Sequence, residues 1–271
     1  MTYERFQSLK VRIEQRVAWV TIDHPPINMF DKALMLEFHY LGKALAQDDG
    51  VTVVVVQSAN PEFFIAHADL TLIAEPVREE TSFFQAMVDR FRTMPKVTIA
   101  KIEGRARGGG SELALAMDLR FAARGRALLG QPEVFLGLIP GGGGTQRLAR
   151  LAGSARAMEI VLGCEDFDAD LAERYGWVNR ALPSAELGPF VERLARRIAS
   201  FPPETLALAK EAVNAGEWAV HQGLAEENRL FNAAVTSAAY ARRKERFLAL
   251  GGQTAAVELD LAGIAERLAE P

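Results

Sequence analysis

Residues 104–123 read GRARGGGSELALAMDLRFAA, and residues 130–153 read GQPEVFLGLIPGGGGTQRLARLAG. Each holds a glycine run, Gly108 to Gly110 in the first and Gly141 to Gly144 in the second. Glycine lets a backbone take positive φ or approach a ligand closely. The first run follows a strand-like segment and Gly104, and it leads into the helix-like ELALAMDL. A glycine loop that opens a helix presents free N–H groups at the positive end of a dipole, which suits a negative oxygen. A nucleotide phosphate is not that oxygen. A P-loop needs Lys and then Ser or Thr after its last glycine, whereas Gly110 is followed by Ser111 and Glu112, and a carboxylate repels phosphate. The dinucleotide pattern G-x-G-x-x-G is also absent from residues 104–112.

Upstream, VAWVTI (17–22), VTVVVV (51–56) and KVTIAKI (96–102) are short β-branched runs that predict buried strands. Between the first two, Leu34, Phe38, Leu41 and Leu45 share one face of an amphipathic helix. Asp31 is its expected N-cap, because its carboxylate can accept from an unpaired N–H of the first turn. Phe84, Met87, Phe91 and Met94 repeat at helical spacing before the third strand. Strands alternating with helices predict an α/β fold with a parallel or mixed sheet. Strand signals stop near residue 184. A helical stripe of Leu187, Phe190 or Val191, Leu194 and Ile198 follows, and Phe201, Pro202 and Pro203 end it. Glu204 to Val213, and then Val220 to Leu250, read as further helices. The chain therefore divides into an α/β core (1–200) and a helical tail (201–271).

The 271 residues are 49% hydrophobic and 24% charged, a balance that excludes a largely disordered chain. A chain of this length buries a large core without staples. No apolar run reaches the ~20 residues of a membrane span, so no membrane partner is expected. The first ten residues, MTYERFQSLK, contain no apolar stretch and predict no secretory signal. Cys164 is the single cysteine, which excludes an intrachain disulfide and fits a cytoplasmic location. A net charge of −4 argues against nucleic acid as a partner. His24, His39, His67 and His221 are scattered and form no ligand-like spacing with each other or with Cys164, so no metal site is expected. No histidine stands near Cys164 in sequence, and a lone cysteine reads as a small buried hydrophobe rather than a nucleophile.

The two glycine-rich stretches resemble the signature of the crotonase family, the enoyl-CoA hydratases and isomerases. PEFFIAHADL (61–70) resembles the family's loop after the second strand, and AERYGWVNRAL (172–182) and the later helices also fit. The resemblance implies a crotonase-like spiral of repeated β-β-α units with a C-terminal helical region that makes trimers, often paired into hexamers. It implies an acyl-CoA thioester as substrate, with coenzyme A part of the substrate and no separate cofactor. Family chemistry stabilises a thioester enolate in an oxyanion hole of two backbone N–H groups. Motif match assigns these to Ala68 and Gly109. Glu112 and Glu133 match the acid–base pair of the hydratases. The substrate-binding positions carried over are Ala66, His67, Asp69 and Leu70 in the first loop, and Gly108, Pro132 and Gly141 in the glycine-rich stretches.

Three positions depart from the family pattern. His67 replaces the glycine that often precedes the first oxyanion residue; one histidine rarely makes a site and reads first as pointing away, the alternative being a side chain that narrows the pocket or adds a polar group to it. Asp23-His24-Pro25 lacks the basic residue common after the first strand, and Asp69 is followed by Leu70-Thr71 where a lysine is common. Both losses remove positive charge that would meet coenzyme A phosphates. Arg242, Arg243, Lys244 and Arg246 form a basic run that reads as a solvated helix face or as replacement phosphate contacts. Because both glutamate positions are filled, the resemblance implies a 2-enoyl-CoA hydratase. The alternatives are double-bond isomerisation, decarboxylation or thioester hydrolysis, and a non-catalytic binding protein on the same fold.

Overall fold

The computed structural model describes residues 3–72, 82–215 and 219–269. Among these residues two sheets form. The larger has six strands in the order β1 (Leu9–Glu14), β2 (Val17–Ile22), β3 (Val53–Ser58), β5 (Val97–Ile102), β7 (Leu119–Arg124) and β10 (Arg180–Pro183). Only β1–β2 is antiparallel; the other neighbours run parallel. The smaller sheet has the order β4 (Phe63–Ile65), β6 (Arg105–Arg107), β8 (Leu128–Gly130) and β9 (Phe167–Asp168). The expected strand at 51–56 begins two residues late. Val51 N–H closes a turn onto Asp48 O at 3.1 Å, and pairing starts beyond it.

The unit repeats. β1 and β2 lead into α1 (Lys32–Ala46), β3 and β4 into α2 (Phe83–Thr93), and β5 and β6 into α3 (Gly109–Ala116). β7 and β8 lead through a 3-10 turn, Glu133–Leu136, into α4 (Gly144–Ala152). The first repeat keeps both strands in the large sheet, and each of the next three sends one long strand there and one short strand to the small sheet, which winds the chain as a spiral of β-β-α units. Asp31 caps α1 as expected, accepting from Leu34 N–H at 2.8 Å. Ser82 and Gln85 close α2 with a reciprocal capping box.

The valines of β3 show why the run is continuous. Side chains alternate across a strand, and a parallel sheet covered on both faces buries both sets. Val54 and Val56 join Ala18, Val20 and Ala100 in the main core under the helices. Val53 and Val55 join Trp19, Ile99 and Phe121 against Leu187, Val191 and Ala195 of α7 (Ser184–Ala199). Two other helices, α5 (Ser154–Gly163) and α6 (Ala169–Tyr175), flank β9.

The tail comprises α8 (Pro203–Ala215), α9 (Ala219–Val235), α10 (Ala238–Ala249), α11 (Ala255–Glu258) and α12 (Leu261–Ala269). The expected run from Val220 to Leu250 is two helices, because Ser237 takes the N-cap role and accepts from Tyr240 N–H at 3.1 Å. The tail folds back over the core. Val235, Tyr240, Phe247, Leu261, Ile264 and Leu268 share a buried cluster with Leu70, Leu136 and Leu138. No described helix is long and apolar enough to cross a membrane.

Candidate active site

The returning tail packs against the glycine-rich loops, and between them lies a partly open cavity of about 230 Å³. His67, Ala68, Leu70, Gly108, Gly109, Glu112, Pro132, Glu133 and Gly141 all line it. Segments far apart in sequence thus meet at one place. Two expected positions stand back from it. Ala66 is buried against Ile27 and Phe63, with its N–H on Ile27 O at 3.2 Å. The Asp69 carboxylate turns toward Gln253, accepting from its Nε2 at 2.9 Å and from Thr71 N–H at 2.8 Å. Much of the remaining wall is apolar, from Leu72, Phe84, Leu136, Leu138, Phe231 and Phe247.

Backbone geometry frees two N–H groups here. Phe30 N–H donates to His67 O at 2.9 Å, and Asp69 N–H donates to Phe30 O at 3.0 Å. Ala68, paired with Phe30 as an isolated parallel bridge, has its own N–H facing the other way. On the second arm, Gly108 N–H is spent on Gly130 O at 3.0 Å. Gly108 has φ +47°, a left-handed turn that suits glycine, and the chain then enters α3 with Gly109 as its first residue. First-turn N–H groups have no partner inside a helix. Among the described residues, the Ala68 and Gly109 N–H groups have no acceptor in the protein.

Glu112 sits one turn into α3 and is buried. Its Oε1 accepts from Gly142 N–H at 2.6 Å and Gly144 N–H at 2.9 Å, so the second glycine run serves the first. A Cβ on Gly142 would lie 2.4 Å from the Phe84 ring and 2.6 Å from Glu112 Oε2, so only glycine fits. Burial pushes the Glu112 carboxyl up to about 7, and the negative charge of Glu227 adds to the rise. Glu133 enters from the 3-10 turn, half-buried against the cavity. With its amide turned to donate, Gln131 lies 3.1 Å from both Glu133 oxygens. Burial, and then the Glu112 charge, raise Glu133 well above the ordinary carboxylate range. The Glu112 charge thus favours the protonated form of Glu133, and the two carboxyls titrate together.

Glu227 of α9 is a third buried carboxyl that the motifs do not indicate. It accepts from Gly143 N–H at 2.6 Å, from Thr145 N–H at 3.0 Å and from the Thr145 hydroxyl. Burial raises it, and these hydrogen bonds hold it down in part. Its trace in the sequence is positional. Leu224, Glu227 and Phe231 share one helical face, so a glutamate stands on an apolar stripe.

The departures from the family pattern also find places. His24 bridges Ser8 Oγ and the Asp31 carboxylate, each at 2.8 Å, away from the cavity. In the basic run of α10, Arg243 donates to Phe135 O at 2.9 Å and Lys244 lies over the Tyr240 ring. Cys164 ends α5 half-buried, its thiol raised by burial. Among the described residues no cluster of three or more His, Cys, Asp or Glu could hold a metal ion. His221 lies where no side chain is described.

This spiral of β-β-α units, with a lidded cavity over two glycine-opened helices, defines a crotonase-fold protein. The family profile for enoyl-CoA hydratase/isomerase matches residues 12–249, and the chain belongs to that family. A short-chain-enoyl-CoA hydratase of Clostridium acetobutylicum is 34% identical, over 80% of this chain and 85% of that protein. The 2,3-dehydroadipyl-CoA hydratase of Escherichia coli is 36% identical, over 82% of this chain and 88% of that protein. A solved structure from Streptomyces avermitilis superposes with a TM-score of 0.89 at 40% identity, covering 97% of this chain and 99% of that one.

Proposed function

We propose that the protein is a 2-enoyl-CoA hydratase that adds water across the conjugated double bond of an acyl-CoA thioester. The observation that carries this reading is the meeting of the Glu112 and Glu133 carboxyls with the free N–H groups of Ala68 and Gly109 around one cavity. The N–H pair binds the thioester oxygen and stabilises the enolate that forms when water adds. Glu112 keeps its Oε1 fixed by two N–H groups, and Oε2 is left to hold the water. Glu133 delivers the proton to the α-carbon. Hydration needs one carboxylate to take a proton and one carboxylic acid to give one, and a shared proton supplies that pair. Coenzyme A enters as part of the substrate, and water addition needs no electron acceptor. The apolar wall of Phe84, Leu136, Leu138 and Phe231 suits the acyl chain.

The reading includes self-association as a trimer or hexamer, supported by the exposed apolar side chains Leu208, Val213, Met158 and Leu162. It also includes a cytoplasmic location, supported by the single cysteine. Loss of the conjugated absorbance of crotonyl-CoA tests the activity. A protein that leaves a series of enoyl-CoA chain lengths unhydrated refutes it. Sedimentation as a monomer at micromolar concentration refutes the assembly.

A further inference from the structure

The site contains a charged group that none of the roles above uses. His67 lines the cavity between the two oxyanion arms. It immediately precedes Ala68, and its Cβ lies 3.5 Å from where a Cβ on Gly108 would stand. Its ring is locked at both nitrogens. Nδ1 is 2.8 Å from Ala68 O, and Nε2 is 2.9 Å from Glu258 Oε1. We propose that His67 is a further catalytic residue of this site, a fixed imidazolium whose positive charge stabilises the thioester oxygen as it becomes an enolate. The inference rests on the hydratase reading above and on Ala68 and Gly109 as the oxyanion donors.

Hydrogen bonding and charge balance together favour the charge. A carbonyl oxygen only accepts, so Nδ1 carries a hydrogen. Glu258 Oε1 already accepts from Gln253 N–H at 3.0 Å and faces Nε2 as a second acceptor. Glu258 is itself fully buried, and a buried carboxylate needs compensating charge. Arg107 from β6 stands 4.0 Å from Glu258 Oε2 and donates to Glu258 O, but its other edge is committed to Asp166. With Glu258 and Asp166 ionised, the cluster of Arg107, Asp166, Glu258 and His67 is neutral when His67 is protonated. The other titratable groups near the ring are Asp69 on its own loop, and Glu112 and Glu133, which line the same cavity. All three are acidic, so none opposes a cation there. Phe247 of α10 packs edge-on to the ring with centroids 6.4 Å apart. Burial and the Arg107 charge lower the imidazole, yet the Glu258 carboxylate, with the Ala68 carbonyl, outweighs them and the net direction is upward. Glu258 moves the opposite way, below its ordinary value, against its own burial. The two partners agree.

With both N–H groups engaged, His67 transfers no proton. It acts through its field, which an apolar cavity wall screens poorly. Glu258 is then a positioning residue that holds the charge in place from the far end of the chain.

The first test needs no variant. In protein carrying isotope-labelled histidine, NMR at about pH 7.5, where an ordinary histidine is neutral, should show His67 protonated on both nitrogens. The signal is assigned by its loss in H67Q. A singly protonated His67 at that pH overturns the proposal. Kinetics supply the second test. H67Q should lower kcat for crotonyl-CoA by about tenfold or more, with a much smaller change in KM. The parent's kcat should fall as pH rises through the raised His67 titration. In E258Q that alkaline limb should move to lower pH, because the group that raises His67 is gone. An H67Q protein with parental kcat and pH profile overturns the inference while leaving the hydratase reading intact. A parent that hydrates no enoyl-CoA overturns both.

Discussion

Glu112 and Glu227 divide the N–H groups of one glycine loop between them. Gly142 and Gly144 donate to Glu112, while Gly143 and Thr145 donate to Glu227, at distances from 2.6 to 3.0 Å. These are the orphan donors around the start of α4, and a helix N-terminus favours negative charge. The loop therefore holds a catalytic candidate on one side and is itself held from the other.

This relationship predicts the behaviour of E227Q. Glutamine has one acceptor oxygen where Glu227 uses two, and its amide would point N–H groups at N–H groups. Urea unfolding should show a loss on the order of 1–3 kcal/mol, the cost of unsatisfied buried donors. Removing the charge also removes part of what raises Glu112. The limb of the kcat/KM profile that belongs to Glu112 should shift to lower pH.

E112Q and E133Q each keep side-chain size and remove a proton shuttle. Each should lower crotonyl-CoA hydration by on the order of 10²–10⁴. Thioester binding should persist, since the Ala68 and Gly109 N–H groups remain. Stopped-flow absorbance gives the rate, and calorimetric titration with a saturated acyl-CoA gives the affinity. If E133Q alone abolished double-bond isomerisation and E112Q retained it, an isomerase reading would replace hydration.

Gly109→Pro tests the oxyanion arm on α3. Gly109 is the first helical residue, where proline costs no helical hydrogen bond, although a Cβ there would stand 3.0 Å from the Phe84 ring and add distortion to the lost donor. The helix should form, and turnover should fall by at least on the order of 10²–10³ as one donor disappears. Circular dichroism checks the fold, and the hydration assay checks the rate.

The acidic cluster sets a pH dependence of stability. Glu112, Glu133 and Glu227 are all raised in the folded protein, Glu112 from 4.5 to about 7. The folded state therefore binds more protons than the unfolded chain across that window. Their contribution to stability is fully present below the unfolded value and is lost as pH rises through the folded one. Denaturation midpoints should decline from about pH 5 to about pH 8, and E112Q should show a shallower decline.

The parts of this protein that depend on near neighbours were legible in its sequence. The run VAWVTI is β2 itself, because β-branched residues suit a strand buried on both faces. Asp31 was legible as a cap because its partner, Leu34, is three residues away. The glycine runs marked where helices open, and the motif around them marked Glu112 and Glu133. The small sheet was not legible. β4, β6 and β8 have three residues each and β9 has two, too few to show a period.

What only the tertiary structure decided is the electrostatics of the cavity. Glu227 shows in the sequence only as a glutamate on an apolar stripe, and its partners appear once α9 lays it against Gly143 and Thr145. His67 and Glu258 are 191 positions apart, and no local pattern links them. Local hydrogen bonds and side-chain periodicity are written within a few residues and survive in the sequence. Burial and the pairing of distant charges arise only when the tail closes over the spiral, because the low dielectric that gives them their strength does not exist before the chain has folded.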